Sequence, residues 1–198
     1  MHRLSGIPLS GRLAFKALRN GSTLGTHHLT FSRQGDAMTV AIAVDYLVKI
    51  GFIPVFRYKL RCRESWHRGV LMSALAKCDD NGKAAWMRAE REGDALMVQG
   101  SKSGSYRAPA GAILASHWNQ AQFAAPMINP QDGSLLRFTV APRGPARIAD
   151  INGKLIAAKR FALTGKDRLD LWYDAEDVWA SLQAAAPDGS TISYLRIG

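Results

Sequence analysis

Met38-Thr39-Val40-Ala41-Ile42-Ala43-Val44-Asp45-Tyr46-Leu47-Val48-Lys49-Ile50 alternates almost without exception. Met38, Val40, Ile42, Val44, Tyr46, Val48 and Ile50 fall on one face. Ala37, Thr39, Ala41, Ala43, Asp45, Leu47 and Lys49 fall on the other. A period of two is a strand with one core face and one wetter face. Beyond Gly51-Phe52-Ile53-Pro54, the stretch Arg57-Tyr58-Lys59-Leu60-Arg61-Cys62-Arg63-Glu64-Ser65-Trp66 repeats the period. Arg57, Lys59, Arg61 and Arg63 form a cationic comb. Tyr58, Leu60 and Cys62, ending in Glu64 and Trp66, form the opposite face. If residue 46 faces residue 58 in a hairpin, Val44 meets Leu60, Ile42 meets Cys62, and the apolar faces coincide. Asp45 then lies near Lys59 as a cross-strand ion pair. The apolar tip, residues 50–56, is expected to fold over a barrel end; exposed, it would suggest contact with lipid, ligand or a partner.

Working outward, the pattern continues in both directions. Short strands are expected over residues 13–19 and 26–32, joined at Asn20-Gly21, and over 70–77, 84–91 and 95–99, with a turn at Asn81-Gly82. Further strands are expected over 135–141, 154–163, 169–174, 178–184 and 191–196. The fold class is therefore all-β: one long antiparallel meander that must curl into a barrel or open half-barrel to bury its inner face. Residues 1–11 read as an N-terminal extension and 12–198 as a single domain. Residues 108–130 form an irregular insert in which Pro109 to Ala115 could make one or two helical turns. Pairing across His67-Arg68-Gly69 is expected to set Cys62 opposite Met72 or Ala74, leaving Cys62 and Cys78 too far apart for a disulfide.

The chain has 198 residues and a formal net charge of +10, with a pI near 10.0. That excess favours anionic partners. An anionic membrane surface is a possible partner; nucleic acid is disfavoured, because the aromatics lie on the strand face opposite the comb. No apolar run has the length of a transmembrane helix and no signal-peptide h-region is present. Two cysteines match no zinc spacing, and no metal motif, phosphate loop, dinucleotide fingerprint or nucleophile elbow is found. No cofactor is expected.

Several separated motifs carry a family resemblance: Gly25-Thr26-His27, Phe56-Arg57-Tyr58, Glu64-Ser65-Trp66, Asp80-Asn81-Gly82-Lys83, Ser116-His117-Trp118-Asn119, Asn129 with Gly133, and Leu171-Trp172-Tyr173-Asp174. Over roughly residues 12–196 the chain resembles an uncharacterised bacterial family of exported all-β proteins, a domain of unknown function. The resemblance implies a curved sheet like that of envelope proteins of the lipoprotein-carrier type, wrapped around an apolar cavity that holds a lipid or amphipathic ligand. A few proteins of this kind of fold are small biosynthetic enzymes. The resemblance implies the periplasm or cell envelope; the chain taken as complete, without a signal sequence, would imply the cytoplasm.

Two functional expectations follow. The first is a binding protein for an apolar or amphipathic, anionic small molecule or lipid. Trp66, Tyr58, Trp118, Asn119, Trp172 and Tyr173 would line the site, and Arg57 or Arg61 would attract the anion. The second is an enzyme of the same fold. Glu64 on an apolar face would have a raised pKa suited to acid–base work, aided by His117 and His27. Beside each stands a plainer account: aromatics filling a barrel, a carboxylate in a cross-sheet pair, and scattered hydrogen-bonded histidines.

Overall fold

The computed structural model describes residues 6–50, 52–186 and 188–197, without the side chain of Ile50. Eight strands run up and down in sequence: β1 (Arg12–Arg19), β2 (Ser22–Gln34), β3 (Ala37–Ile50), β4 (Ile53–His67), β5 (Val70–Asp80), β6 (Lys83–Glu92), β7 (Ala95–Gly100) and β8 (Gly104–Arg107). Three two-residue strands follow between β8 and residue 139, so that the insert runs on past the expected residue 130 to 138: β9 (Ile113–Leu114), β10 (Met127–Ile128) and β11 (Leu135–Leu136). The chain ends in β12 (Thr139–Ala149), β13 (Leu155–Thr164), β14 (Arg168–Tyr173), β15 (Trp179–Ala185) and β16 (Thr191–Arg196).

Thirteen of these strands form one sheet in the order β12-β13-β14-β15-β16-β1-β2-β3-β4-β5-β6-β7-β8. Each neighbouring pair is antiparallel. Because β16 pairs with β1, the two ends of the sheet's chain path meet in its middle. The free edges are β8 and β12, and the insert spans from one to the other. A sheet this wide cannot stay flat, and its inner face curls around a core. That core includes Phe15, Val40, Ala76, Met87 and Leu171, all fully buried. The sheet stays open, so the half-barrel alternative is the one realised.

The central hairpin has the expected register: Tyr46 opposite Tyr58, Val44 opposite Leu60, Ile42 opposite Cys62. Arg57, Lys59, Arg61 and Arg63 all point outward and are exposed. Elsewhere the structure corrects the sequence reading. Asp45 is paired in register with Lys59, yet its ion pair is with the diagonal Arg61, whose longer fork reaches both carboxylate oxygens at 2.8 Å. The hairpin tip is exposed, with Phe52 99% and Ile53 69% accessible; Gly51 lies outside the described residues. The β4–β5 turn is only Arg68-Gly69, both at positive φ, and a bulge at Ser65/Trp66 shifts the register. Cys62 therefore faces Ala76, and Cys78 faces Leu60. The cysteines are diagonal neighbours, about 7–8 Å apart for such positions, and both are free and buried.

The insert is more ordered than its composition suggests. Ile113–Leu114 pairs in parallel with Met127–Ile128, which pairs antiparallel with Leu135–Leu136. Residues 109–115 are thus not helical. The single helical turn among the described residues, a 3-10 turn, is Gln120–Ala124, capped by Asn119 through an Ala121 N–H to Oδ1 bond of 3.0 Å. The strand expected over 135–141 is two strands: β11 belongs to the small sheet and β12 begins at Thr139. The Pro142-Arg143-Gly144-Pro145 stretch, beyond the end of the expected strand 135–141, lies within β12, with a bulge between Pro142 and Gly144. An edge strand tolerates proline because its outward N–H needs no partner.

Candidate functional site

The inner faces of β14, β15, β16, β1, β2, β3 and β4 share one cavity with the insert, which covers it through Ala115, Ser116, His117, Asn129, Pro130 and Gln131. Contributions from both halves of the strand order show that the sheet is concave here. The cavity measures about 710 Å³, within the roughly 300–1,000 Å³ of small-molecule sites. Its wall is mostly apolar, with Leu24, Ile42, Val44, Leu60, Leu182 and Ile192 among its lining residues.

Polar groups enter the wall at a few points. Tyr46 and Tyr194 are joined hydroxyl to hydroxyl, and the Tyr194 hydroxyl lies 3.3 Å from His27 Nδ1. Tyr46 stacks on Tyr58, with centroids 5.4 Å apart. The Tyr58 hydroxyl accepts from Gln131 Nε2 at 2.7 Å. Gln131 is held by the Asn129 turn, where Asn129 Oδ1 accepts its backbone N–H at 3.0 Å. Burial pushes the Tyr46 phenol up to about 12 and also raises those of Tyr58 and Tyr194 well above the usual phenol value. These hydroxyls stay protonated and act as neutral hydrogen-bonding groups.

His27 and His117 also line the cavity, and both flank Trp179, with ring centroids 5.2 and 5.5 Å from it. Burial lowers His27 to about 3, helped by the proximity of His117 and His28. Burial lowers His117 to about 4, against the pull of Gln122. Both are therefore uncharged at neutral pH. His27 Nε2 and His117 Nδ1 have no hydrogen-bond partner within the protein. His117 has φ +68°, a conformation that few non-glycine residues adopt. The Tyr173 hydroxyl pins it there by donating to the His117 carbonyl at 2.7 Å. Upstream, Gly25 sets the approach of β2 to β3, since a Cβ there would strike the Asp45 carbonyl; two residues later His27 turns inward.

Beside the cavity, and outside its wall, sits Glu64. It is fully buried, and its Oε2 accepts from Trp66 Nε1 at 2.9 Å and Trp118 Nε1 at 3.1 Å. Burial raises its pKa against hydrogen bonding by Ser116, Trp66 and Trp118. Ser116 acts from beyond bonding geometry, for Oε1 has no partner. The carboxylate's work here is to seat two indoles, one from the sheet and one from the insert. Glu64→Leu should orphan both indole N–H groups and cost about 2–4 kcal/mol. Glu64→Gln keeps an acceptor and should cost clearly less, as urea unfolding of the two variants would register.

Of the residues singled out from sequence, Tyr58, His27 and His117 line the cavity. Trp66, Trp118, Asn119 and Tyr173 stand behind it as supports: indoles on Glu64, a cap on the 3-10 turn, and an anchor for His117. Trp172, Arg57 and Arg61 are not brought to it. Trp172 has the opposite parity from Tyr173 and lies under Arg160 at 5.6 Å on the outer face; Arg57 and Arg61 follow the comb outward. Sequence reasoning missed Tyr46, Tyr194, Ser116 and Gln131. Tyr46 was legible, since it shares the core face of β3. Tyr194 depends on β16 meeting β1, a pairing across nearly the whole chain.

Comparison with known proteins agrees with this architecture. The family described as "Domain of unknown function (DUF6134)" matches residues 15–197. No curated protein matches the chain. A crystal structure of a beta-barrel-like protein of domain of unknown function DUF1849 from Brucella abortus is similar, with a TM-score of 0.64 at 9% identity over 94% of each chain. At that identity the likeness is one of fold alone.

Proposed function

We propose that this chain, which belongs to the DUF6134 family, is a binding protein that holds an apolar or amphipathic small molecule or lipid on the concave side of its sheet. The observation that carries this reading is the cavity of about 710 Å³, apolar over most of its wall and roofed by the insert. A pocket of that size, enclosed between a rigid sheet and a segment anchored at several points, is pre-formed for a ligand. Glu64 is enclosed by two indoles, away from the cavity wall. An acid–base role for it on a bound molecule therefore lacks support, and proton transfer, if any, would fall to His27 and His117. Native mass spectrometry of protein prepared without detergent tests the reading. The expected result is a retained hydrocarbon-bearing adduct, or uptake of added dodecane, abolished by Val44→Trp, which fills the cavity. A chain that carries nothing and takes up nothing would refute it.

A second reading concerns the outer face. Across the sheet, Arg61 lies beside Lys77 and Lys77 beside Trp86, and the adjacent row runs Arg63, Leu75, Arg88. Leu75 and Trp86 are 53% and 44% accessible among these cations. Apolar groups set among cations suit an anionic lipid surface. The protein should sediment with vesicles rich in phosphatidylglycerol and not with phosphatidylcholine, and Lys77→Glu with Arg88→Glu should weaken this. Sedimentation that ignores ionic strength would exclude it.

A further inference from the structure

The charge of the cavity runs against the charge of the chain. The chain carries a formal +10, yet the residues around the cavity include one cation, Arg19, and three carboxylates, Asp80, Asp167 and Asp188. Arg19 is already committed to Asp188. Asp80 and Asp167 have no ion-pair partner among the described residues. The comb of Arg57, Lys59, Arg61 and Arg63 is turned away by the parity of β4.

Further inside, no described residue offers a charge. The Tyr46 and Tyr194 hydroxyls satisfy each other, and Tyr58 is bonded to Gln131. Among the residues that line the cavity, the buried side-chain atoms left without any partner are His27 Nε2 and His117 Nδ1, one from the sheet and one from the insert. A neutral imidazole nitrogen donates or accepts according to tautomer. Either role is met by a hydroxyl, which does both. A carboxylate or phosphate placed there would lose its hydration, face carboxylates at the rim and find no free cation.

We infer that the molecule taken by this cavity is an uncharged, hydroxyl-bearing amphiphile, its hydroxyl set against His27 and His117 and its apolar body along Leu24, Val44, Leu60 and Leu182. The inference rests on the cavity-binding reading above. It gives the two histidines a positioning role for the ligand and removes any need for a cationic anchor.

Dodecanol, dodecanoate, dodecylamine and dodecane, titrated against the whole chain at mildly alkaline pH, separate the possibilities. Dodecanol should bind tightest, and dodecanoate on the order of tenfold or more weakly. His27→Phe and His117→Phe should bring dodecanol down to the level that dodecane shows in the same variant. Should either phenylalanine variant fail to fold, His27→Gln and His117→Gln, which keep hydrogen-bonding groups, should retain the preference for dodecanol. Dodecanoate or dodecylamine binding as tightly as dodecanol would overturn the inference and leave the cavity reading standing. So would a dodecanol preference unchanged in the folded phenylalanine variants. Failure of all four probes to bind would overturn the cavity reading itself.

Discussion

Trp118→Ala should cost about 3–5 kcal/mol and take ligand uptake with it. Trp118 is fully buried. Its ring meets Trp66 edge-on at 5.3 Å and Phe31 at 5.4 Å, and its N–H is one of the two bonds to Glu64 Oε2. Truncation leaves a void against three neighbours and removes half of the carboxylate's donors. The insert has other ties: Tyr106 donates to the Gly133 carbonyl at 2.7 Å, Gln131 to Tyr58, and Tyr173 to His117. The sheet does not depend on them. The expected result is therefore a lowered urea midpoint with the strand signal in circular dichroism retained before the transition, and lost binding of dodecanol. Trp118→Phe should fall between the two. An unchanged midpoint would show that Trp118 does not seat the insert.

Acidification should produce the other large effect. An ordinary histidine titrates near 6.5, whereas His27 sits at about 3 and His117 at about 4 in the folded chain. Above 6.5 both states are neutral and the histidines leave stability independent of pH. As pH falls from 6.5 the unfolded chain takes up protons that the folded chain refuses, and stability drains away until the folded values are reached. The upper limit is on the order of 5 kcal/mol for His27 and somewhat less for His117. The groups packed on His27 are Phe15 from β1, Trp179 from β15 and Tyr194 from β16, with the His117 imidazole nearby, and no carboxylate is among them to receive the charge. Glu64 works the other way: its pKa is raised, so it gains a proton in the folded state first and adds stability as pH falls toward its ordinary value. The net expectation is a urea midpoint that drops between neutral pH and about pH 4, with the drop mostly removed in His27→Gln/His117→Gln. An equal drop in the double variant would place the acid sensitivity elsewhere.

Much of the fold was legible because strands declare themselves locally. The hairpin pairing of 46 with 58, which parity supports, is the β3–β4 register observed, and the same parity puts the cationic comb outside. What was hidden depended on distance in the chain or on exceptions to local rules. A two-residue turn and a bulge moved Cys62 from the expected Met72 or Ala74 to Ala76. The site was half legible for the same reasons. His27, Tyr58 and His117 were found by residue type and face. Glu64 and Trp66 were found as a pair, though the indole that completes their contact comes from residue 118, on the other side of an edge crossing. Tyr194 reaches the site only because the last strand lies beside the first.

The two prolines of β12 have a further consequence. An open sheet exposes two rows of backbone donors and acceptors, an invitation for another copy to add its own strand and for the next to add to that. One edge, β8, offers four residues. The other, eleven residues long, carries Pro142 and Pro145, a bulge, and Arg143 and Arg147. A proline cannot donate, a bulge spoils the repeat, and like charges on two copies repel. The price of leaving a half-barrel open is the risk of runaway polymerisation, and this edge is built to refuse it.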